Sequence, residues 1–134
     1  MTEPAKSPSA SSTEALSRAV AAWRKAQVVH HGPPWDGQPE ASALVEEVAL
    51  HPECESMLYD LLTDPNQLIV AYALITLAMM GSDRLAELPN ALLQRRSGLT
   101  LQFGSIRSKI DLGAFASQFQ KRTKIAAANP GPPC

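Results

Sequence analysis

The chain has 134 residues, of which 45% are hydrophobic, 19% are charged and 5% are aromatic. This length suits one domain with a mainly aliphatic core, and the excess of Ala and Leu over β-branched residues favours helix over sheet. The net charge of −1 excludes a general electrostatic attraction to nucleic acid, and two cysteines are too few for a disulfide framework.

The first half of the chain has the spacing of amphipathic helices. Ser11 and Glu14 have capping-box spacing, and residues 1–11 before the helix are rich in Ser, Pro and Ala, which predicts disorder. Helices are predicted over residues 12–29, 40–50 and 52–63. Residues 30–37, with the sequence HHGPPWDG, form a turn-rich loop between the first two helices.

The second half is organised around residues 66–80, which are apolar nearly all the way round and therefore predict a buried helix. Gly81 suits its C-cap. The next predicted helix, 83–96, contains Pro89, which should kink or split it. Residues 97–110 are predicted to be extended or weakly helical, and a last helix is predicted over 112–124.

These elements predict an all-α fold, a compact helical domain of about five helices, over residues 12–124. The segment 125–134 should be a disordered tail. No basic segment leads into an apolar stretch at the N-terminus, which argues against a secretory signal. The longest uncharged apolar run, 68–80, is shorter than the about 20 residues that a membrane span needs. We therefore expect a cytoplasmic protein that does not enter the membrane.

The run LYDLLTDPNQLIVAYALITLAMMGS, within residues 52–96, resembles HEAT-type α-solenoid repeats. The resemblance implies an antiparallel helix pair over about 52–81, whose second helix lines a concave partner-binding surface. The contact residues that it suggests on this helix are Ile69, Tyr72, Thr76 and Met80. The alternative is that the terminal helices cover this face, with Tyr72 hydrogen-bonded at its edge.

Charge provides two further candidate surfaces. Residues 39–90 carry nine acidic side chains and one basic one, and residues 91–134 carry seven basic side chains and one acidic one. The acidic part could bind a basic protein, and the residues singled out there are Glu46, Glu47 and Glu53. The basic part could bind nucleic acid or an acidic protein, or be solvated or paired with the acidic part. Its residues are Arg95, Arg96, Arg107, Lys109, Lys121, Arg122 and Lys124.

Trp35 in the loop is either an exposed interface anchor or a cover for the core.

The sequence contains few candidates for catalytic residues. Phosphate-binding loops and hydrolase or zinc motifs are absent from the sequence. The pair His30-His31 could bind a metal or act as a base, but it also suits a solvated loop at a helix end. Cys54 follows His51 by three residues, which allows a thiol nucleophile or simply a small core residue. We expect neither a cofactor nor a metal.

Three function hypotheses follow. The leading hypothesis is a non-catalytic protein-interaction module, for example a small acidic inhibitor, an immunity-type protein or an adaptor. The second is a nucleic-acid-binding protein that uses residues 95–124. The third is a small helical enzyme with a histidine-containing site.

Overall fold

The computed structural model describes residues 10–26, 28–30, 40–103 and 106–128. The predictions for Trp35, His31 and the terminal segments 1–9 and 129–134 therefore lie outside the described residues. The helices are α1 (Ala10–Lys25), α2 (Glu40–Ala49), α3 (Glu55–Asp60), α4 (Gln67–Met80), α5 (Asn90–Leu93) and α6 (Leu112–Ala128). The strands are β1 (Val29–His30), β2 (Gly98–Phe103) and β3 (Ile106–Asp111). Short 3-10 helices cover Pro52–Cys54, Leu61–Thr63 and Asp83–Ala86.

Helix α4 is the centre of the core, as its uninterrupted apolar sequence predicts. Nine of its residues are buried, from Leu68 to Leu77, and it packs against α1, α2, α3 and α6. Its start is fixed by Asn66, whose side chain accepts hydrogen bonds from the backbone amides of Leu68 (2.8 Å) and Ile69 (3.3 Å). The helix therefore has a locally encoded beginning as well as a buried surface.

The end of α4 is also locally encoded. Gly81 adopts a left-handed conformation with φ of 76°, and its amide donates to the carbonyl of Ala78. The Ser82 amide donates to the carbonyl of Leu77, which completes a Schellman-type C-cap. The predicted C-cap at Gly81 is confirmed.

Pro89 splits the helix that was predicted over 83–96. The chain forms a 3-10 helix over Asp83–Ala86, and α5 resumes only at Asn90. The Ser82 hydroxyl caps the first piece by accepting from the Arg84 amide (3.2 Å). Proline has no amide hydrogen and cannot continue the ladder, which explains the break.

A small sheet makes the all-α prediction too narrow, although the fold is mostly helical. Strands β2 and β3 form an antiparallel hairpin in which Leu101 lies opposite Ser108, and β1 pairs with β2 in parallel. The sheet order is β1-β2-β3. Leu99, Leu101 and Phe103 alternate in the sequence as in a strand, but a lone strand has no evident partner, and the partner that begins after two intervening residues is not identified from the sequence.

The boundaries of two helices also differ from expectation. Helix α1 begins at Ala10, so Ser11 lies inside the helix and not at its cap, and it ends at Lys25 because the chain must turn into β1. Helix α6 continues to Ala128. Within the described residues, none of the helices has the length and hydropathy needed to cross a membrane.

Candidate functional site

The α4 face that the HEAT resemblance suggested as a binding surface is inside the protein. Ile69, Tyr72 and Thr76 are fully buried, and only Met80 is partly exposed. Helix α1 covers this face, with the Trp23 ring stacked on Tyr72 at 5.8 Å between centroids. These three side chains cannot contact a partner in the folded protein, and the alternative prediction of a covered face describes the structure.

Hydrogen bonds on this face serve the core. The Tyr72 hydroxyl donates to the carbonyl of Val28 (2.9 Å), which ties α4 to the segment entering β1. The Thr76 hydroxyl donates to the carbonyl of Tyr72 (2.7 Å), one turn earlier in the same helix. Both buried hydroxyls are thus satisfied inside the fold, as buried polar groups normally are.

The acidic residues predicted as a binding surface lie at the end of α2 and in the turn after it. Leu44, Val45 and Val48 bury the inner side of α2, and Ala43, Glu46 and Leu50 lie on its exposed side at helical spacing. Glu53 is exposed in the 3-10 helix that follows. We refer to Glu46, Glu47, Leu50 and Glu53 as the acidic corner.

Leu50 is the residue of this corner that the sequence reasoning missed. Its side chain is 79% exposed, more than any other large hydrophobic side chain among the described residues. The available signal was its helical phase, because Leu50 falls on the same face as Glu46 and not on the buried face. Leu50 lies one helical turn after the exposed Glu46, so this surface combines an apolar anchor with a negative charge.

Two of the carboxylates have a basic side chain within 4 Å. Glu47 is paired with Arg18 of α1 at 3.0 Å, and Glu53 lies 3.7 Å from Nδ1 of His51. Hydrogen bonding to its own backbone amide lowers the pKa of Glu53. Hydrogen bonds from the Ser12 and His51 side chains and the charge of His51 also lower this pKa, whereas partial desolvation raises it. Glu53 therefore stays ionised at neutral pH.

The environment of Cys54 does not suit a nucleophile. The thiol is buried, and its Sγ lies 3.6 Å from the carbonyl oxygen of Ser12. Burial raises the pKa of Cys54, and the charge of Glu53 adds to the effect. A catalytic thiol needs a lowered pKa. The described residues also contain no group of three or more potential metal ligands, and the side chains of His30 and His31 lie outside the description.

The basic residues are divided among several roles. Arg95 is structural, because its guanidinium donates to the carbonyls of Asp64 (2.6 Å) and Pro65 (2.9 Å) in the turn before α4. Arg96 is paired with Asp111 at 3.2 Å, and Nε of Arg107 donates to the Gln102 side chain at 3.0 Å. The exposed bases that remain are Lys109 on β3 and Lys121, Arg122 and Lys124 on α6. This division leaves the nucleic-acid hypothesis without Arg95.

An open cleft of about 380 Å³ lies between the end of α4 and α6. Its lining residues are Ala78, Gly81, Ser82, Asp83, Leu85, Phe119, Arg122 and Thr123. The Ser82 hydroxyl is already engaged, since it donates to the Glu55 carboxylate. The Thr123 hydroxyl donates to the carbonyl of Phe119 (2.8 Å). The charged lining residues Asp83 and Arg122 are exposed and of opposite sign, so the cleft presents no set of converging groups for a particular ligand.

Comparison of the whole chain with family models, with proteins of curated function and with solved structures gives no significant match.

Proposed function

We propose that this protein is a non-catalytic protein-binding module whose acidic corner docks on a basic surface of another protein. The single observation that carries the proposal is the exposure of Leu50 beside Glu46, Glu47 and Glu53. In protein interfaces, a few desolvated anchor residues at the centre are surrounded by polar contacts, and Leu50 with the carboxylates of the acidic corner could supply such an arrangement. The implied partner has an apolar pocket bordered by lysine or arginine.

The support behind the corner favours a preformed interface. Val48 and Cys54 are fully buried on either side of Leu50, so the turn that carries Leu50 is anchored at both ends. The contacts of Glu47 with Arg18 and of Glu53 with His51 restrict two carboxylates before any partner arrives. Restriction of this kind reduces the entropy that binding would otherwise cost.

The negative charge of the acidic part of the sequence indicates a positively charged partner. Residues 39–90 have a net charge of −8, and an excess of carboxylates favours encounter with a basic protein over an acidic one. A small acidic inhibitor, an immunity-type protein or an adaptor in the cytoplasm fits this chemistry. In the proposal, the HEAT-like helix pair over 52–81 acts as the scaffold for the corner.

The test is quantitative capture of a partner by the tagged protein, with two matched pairs of variants. Leu50→Asp is compared with Ile125→Asp, which makes the same change at an exposed side chain of α6. Glu46→Lys is compared with Asp60→Lys, which reverses an exposed charge on α3. We expect capture of one basic protein to fall about tenfold or more with each corner variant and to persist with its control, since mispaired charge at an interface costs several kcal/mol. Equal loss in variant and control would contradict the proposal.

A further inference from the structure

The outer edge of the hairpin is the second surface with unusual exposure. In β3, the four consecutive residues Ile106, Arg107, Ser108 and Lys109 are all exposed, so both faces of this half of the strand are in contact with solvent. The sheet order places β3 at one side of β2, and no described residue pairs with its other side. Its outer backbone donors and acceptors form an open edge, which is the template for addition of another strand.

The two faces of this edge have different chemistry. Successive side chains of a strand point to opposite faces, so Ile106, Ser108 and Ile110 share one face and Arg107, Lys109 and Asp111 share the other. The first face continues the apolar side of β2, where Leu99 is buried and Leu101 is half-buried. On the second face, Asp111 is paired with Arg96, which leaves Arg107 and Lys109 to determine the sign of the charge.

This chemistry selects one kind of occupant. A strand beside β3 would place its side chains next to Arg107 and Lys109 on one face and next to Ile106 and Ile110 on the other. Opposite charges and apolar pairs on neighbouring strands stabilise a sheet, whereas like charges destabilise it. The complementary strand therefore alternates acidic residues with β-branched apolar residues.

The other possible occupants match the edge less well. A second copy of β3 would bring another Arg107 and Lys109 to the same edge and add like charges. The undescribed parts of this chain contain only two acidic residues, Glu3 and Asp36, and eight prolines. Proline cannot donate to a strand ladder. The acidic strand is therefore expected to come from a different molecule.

We propose that the open edge of β3 binds an extended acidic segment of another protein by strand addition. Arg107 and Lys109 select the acidic side chains, and the backbone of residues 106–111 supplies the ladder. This surface is separate from the acidic corner and has the opposite charge preference.

The test uses the full-length ¹⁵N-labelled protein and an acetylated hexapeptide in which glutamate and valine alternate. We expect the peptide to bind and to slow hydrogen exchange of backbone amides within 106–111, which an electrostatic contact alone would not do. The double variant Arg107→Glu/Lys109→Glu should bind about tenfold or more weakly, because like charges would then face the peptide. The matched control Lys121→Glu/Lys124→Glu, with the same change of charge on α6, should bind as the wild type does.

Two further peptides separate strand addition from simple attraction. The same peptide with alternate amides N-methylated keeps its charge but loses hydrogen-bond donors, and we expect its binding to be lost. A lysine–valine peptide should not bind. The Leu50→Asp variant should bind the acidic peptide normally, which separates this proposal from the function of the acidic corner.

Each of the following results overturns the proposal. These are no binding of the acidic peptide, equal binding of its N-methylated form, equal loss of binding in the α6 control variant, and unchanged exchange of the β3 amides. The wild type could also sediment as a dimer that the double variant Arg107→Glu/Lys109→Glu dissociates. That result would assign the edge to a second copy of the chain and would reject the proposal.

Discussion

At the scale of single residues, close packing around Gly113 leaves no room for a side chain. Gly113 follows the hairpin, and its amide donates to the carbonyl of Arg95 (2.8 Å). A Cβ at this position would lie 2.3 Å from the carbonyl oxygen of Leu93 and 2.8 Å from that of Arg95. The start of α6 therefore depends on the absence of a side chain at this position.

The variant Gly113→Ala tests this contact. Because the obstructing atoms belong to the backbone, we expect the free energy of unfolding to fall by about 2–4 kcal/mol, measured by urea denaturation. Gly98→Ala is the control, since a Cβ there meets nothing within 4 Å. A similar loss of stability in both variants would show that the close approach at Gly113 is not what matters.

Glu53 links the acidic corner to pH. Because the folded state lowers the pKa of Glu53, its ionised form stabilises the folded protein above the ordinary carboxyl pKa. That contribution is lost as the pH falls through the lowered pKa. Glu53→Gln should therefore reduce stability at neutral pH and flatten its decline toward acidic pH, measured by denaturation across this range. Glu46→Gln is the control, and an unchanged pH profile in Glu53→Gln would reject the argument.

At the scale of elements, local signals were readable from the sequence and long-range pairing was not. The buried helix, its C-cap at Gly81 and the break at Pro89 depend on residues within one or two turns, and each is confirmed. The hairpin depends on pairing between two segments, and the lone alternation in 99–103 did not reveal it. The choice of covered face on α4 depends on α1, which is more than 40 residues away in sequence.

The N-cap of α4 tests whether the start of this helix is determined by its local sequence. Asn66→Ala removes the acceptor for two backbone amides, and we expect it to destabilise the protein by about 1 kcal/mol. The variant Asn90→Ala, at the exposed first residue of α5, should change stability much less. Thermal unfolding followed by circular dichroism measures both, and equal effects would mean that the cap contributes nothing specific.

At the scale of the whole molecule, charge is distributed between two candidate binding surfaces. One is the acidic corner, on α2 and the turn after it, and the other is the open edge of β3 with Arg107 and Lys109. The sequence predicted the acidic residues Glu46, Glu47 and Glu53 but not Leu50, because exposure depends on how α2 packs. It also grouped the bases of 95–124 together, whereas Arg95 is used inside the fold and the others lie on different elements.

Site-specific photo-crosslinking in the native cell tests directly whether the acidic corner binds a partner. A photoreactive residue replaces Leu50 in one version of the full chain and Ile125 in another, since both side chains are exposed. We expect one protein with a basic surface to be crosslinked from position 50. It should be absent from position 125 and lost when Glu46→Lys is added. Absence of a crosslink at position 50, or the same products from both positions, would contradict the claim that the acidic corner binds a partner.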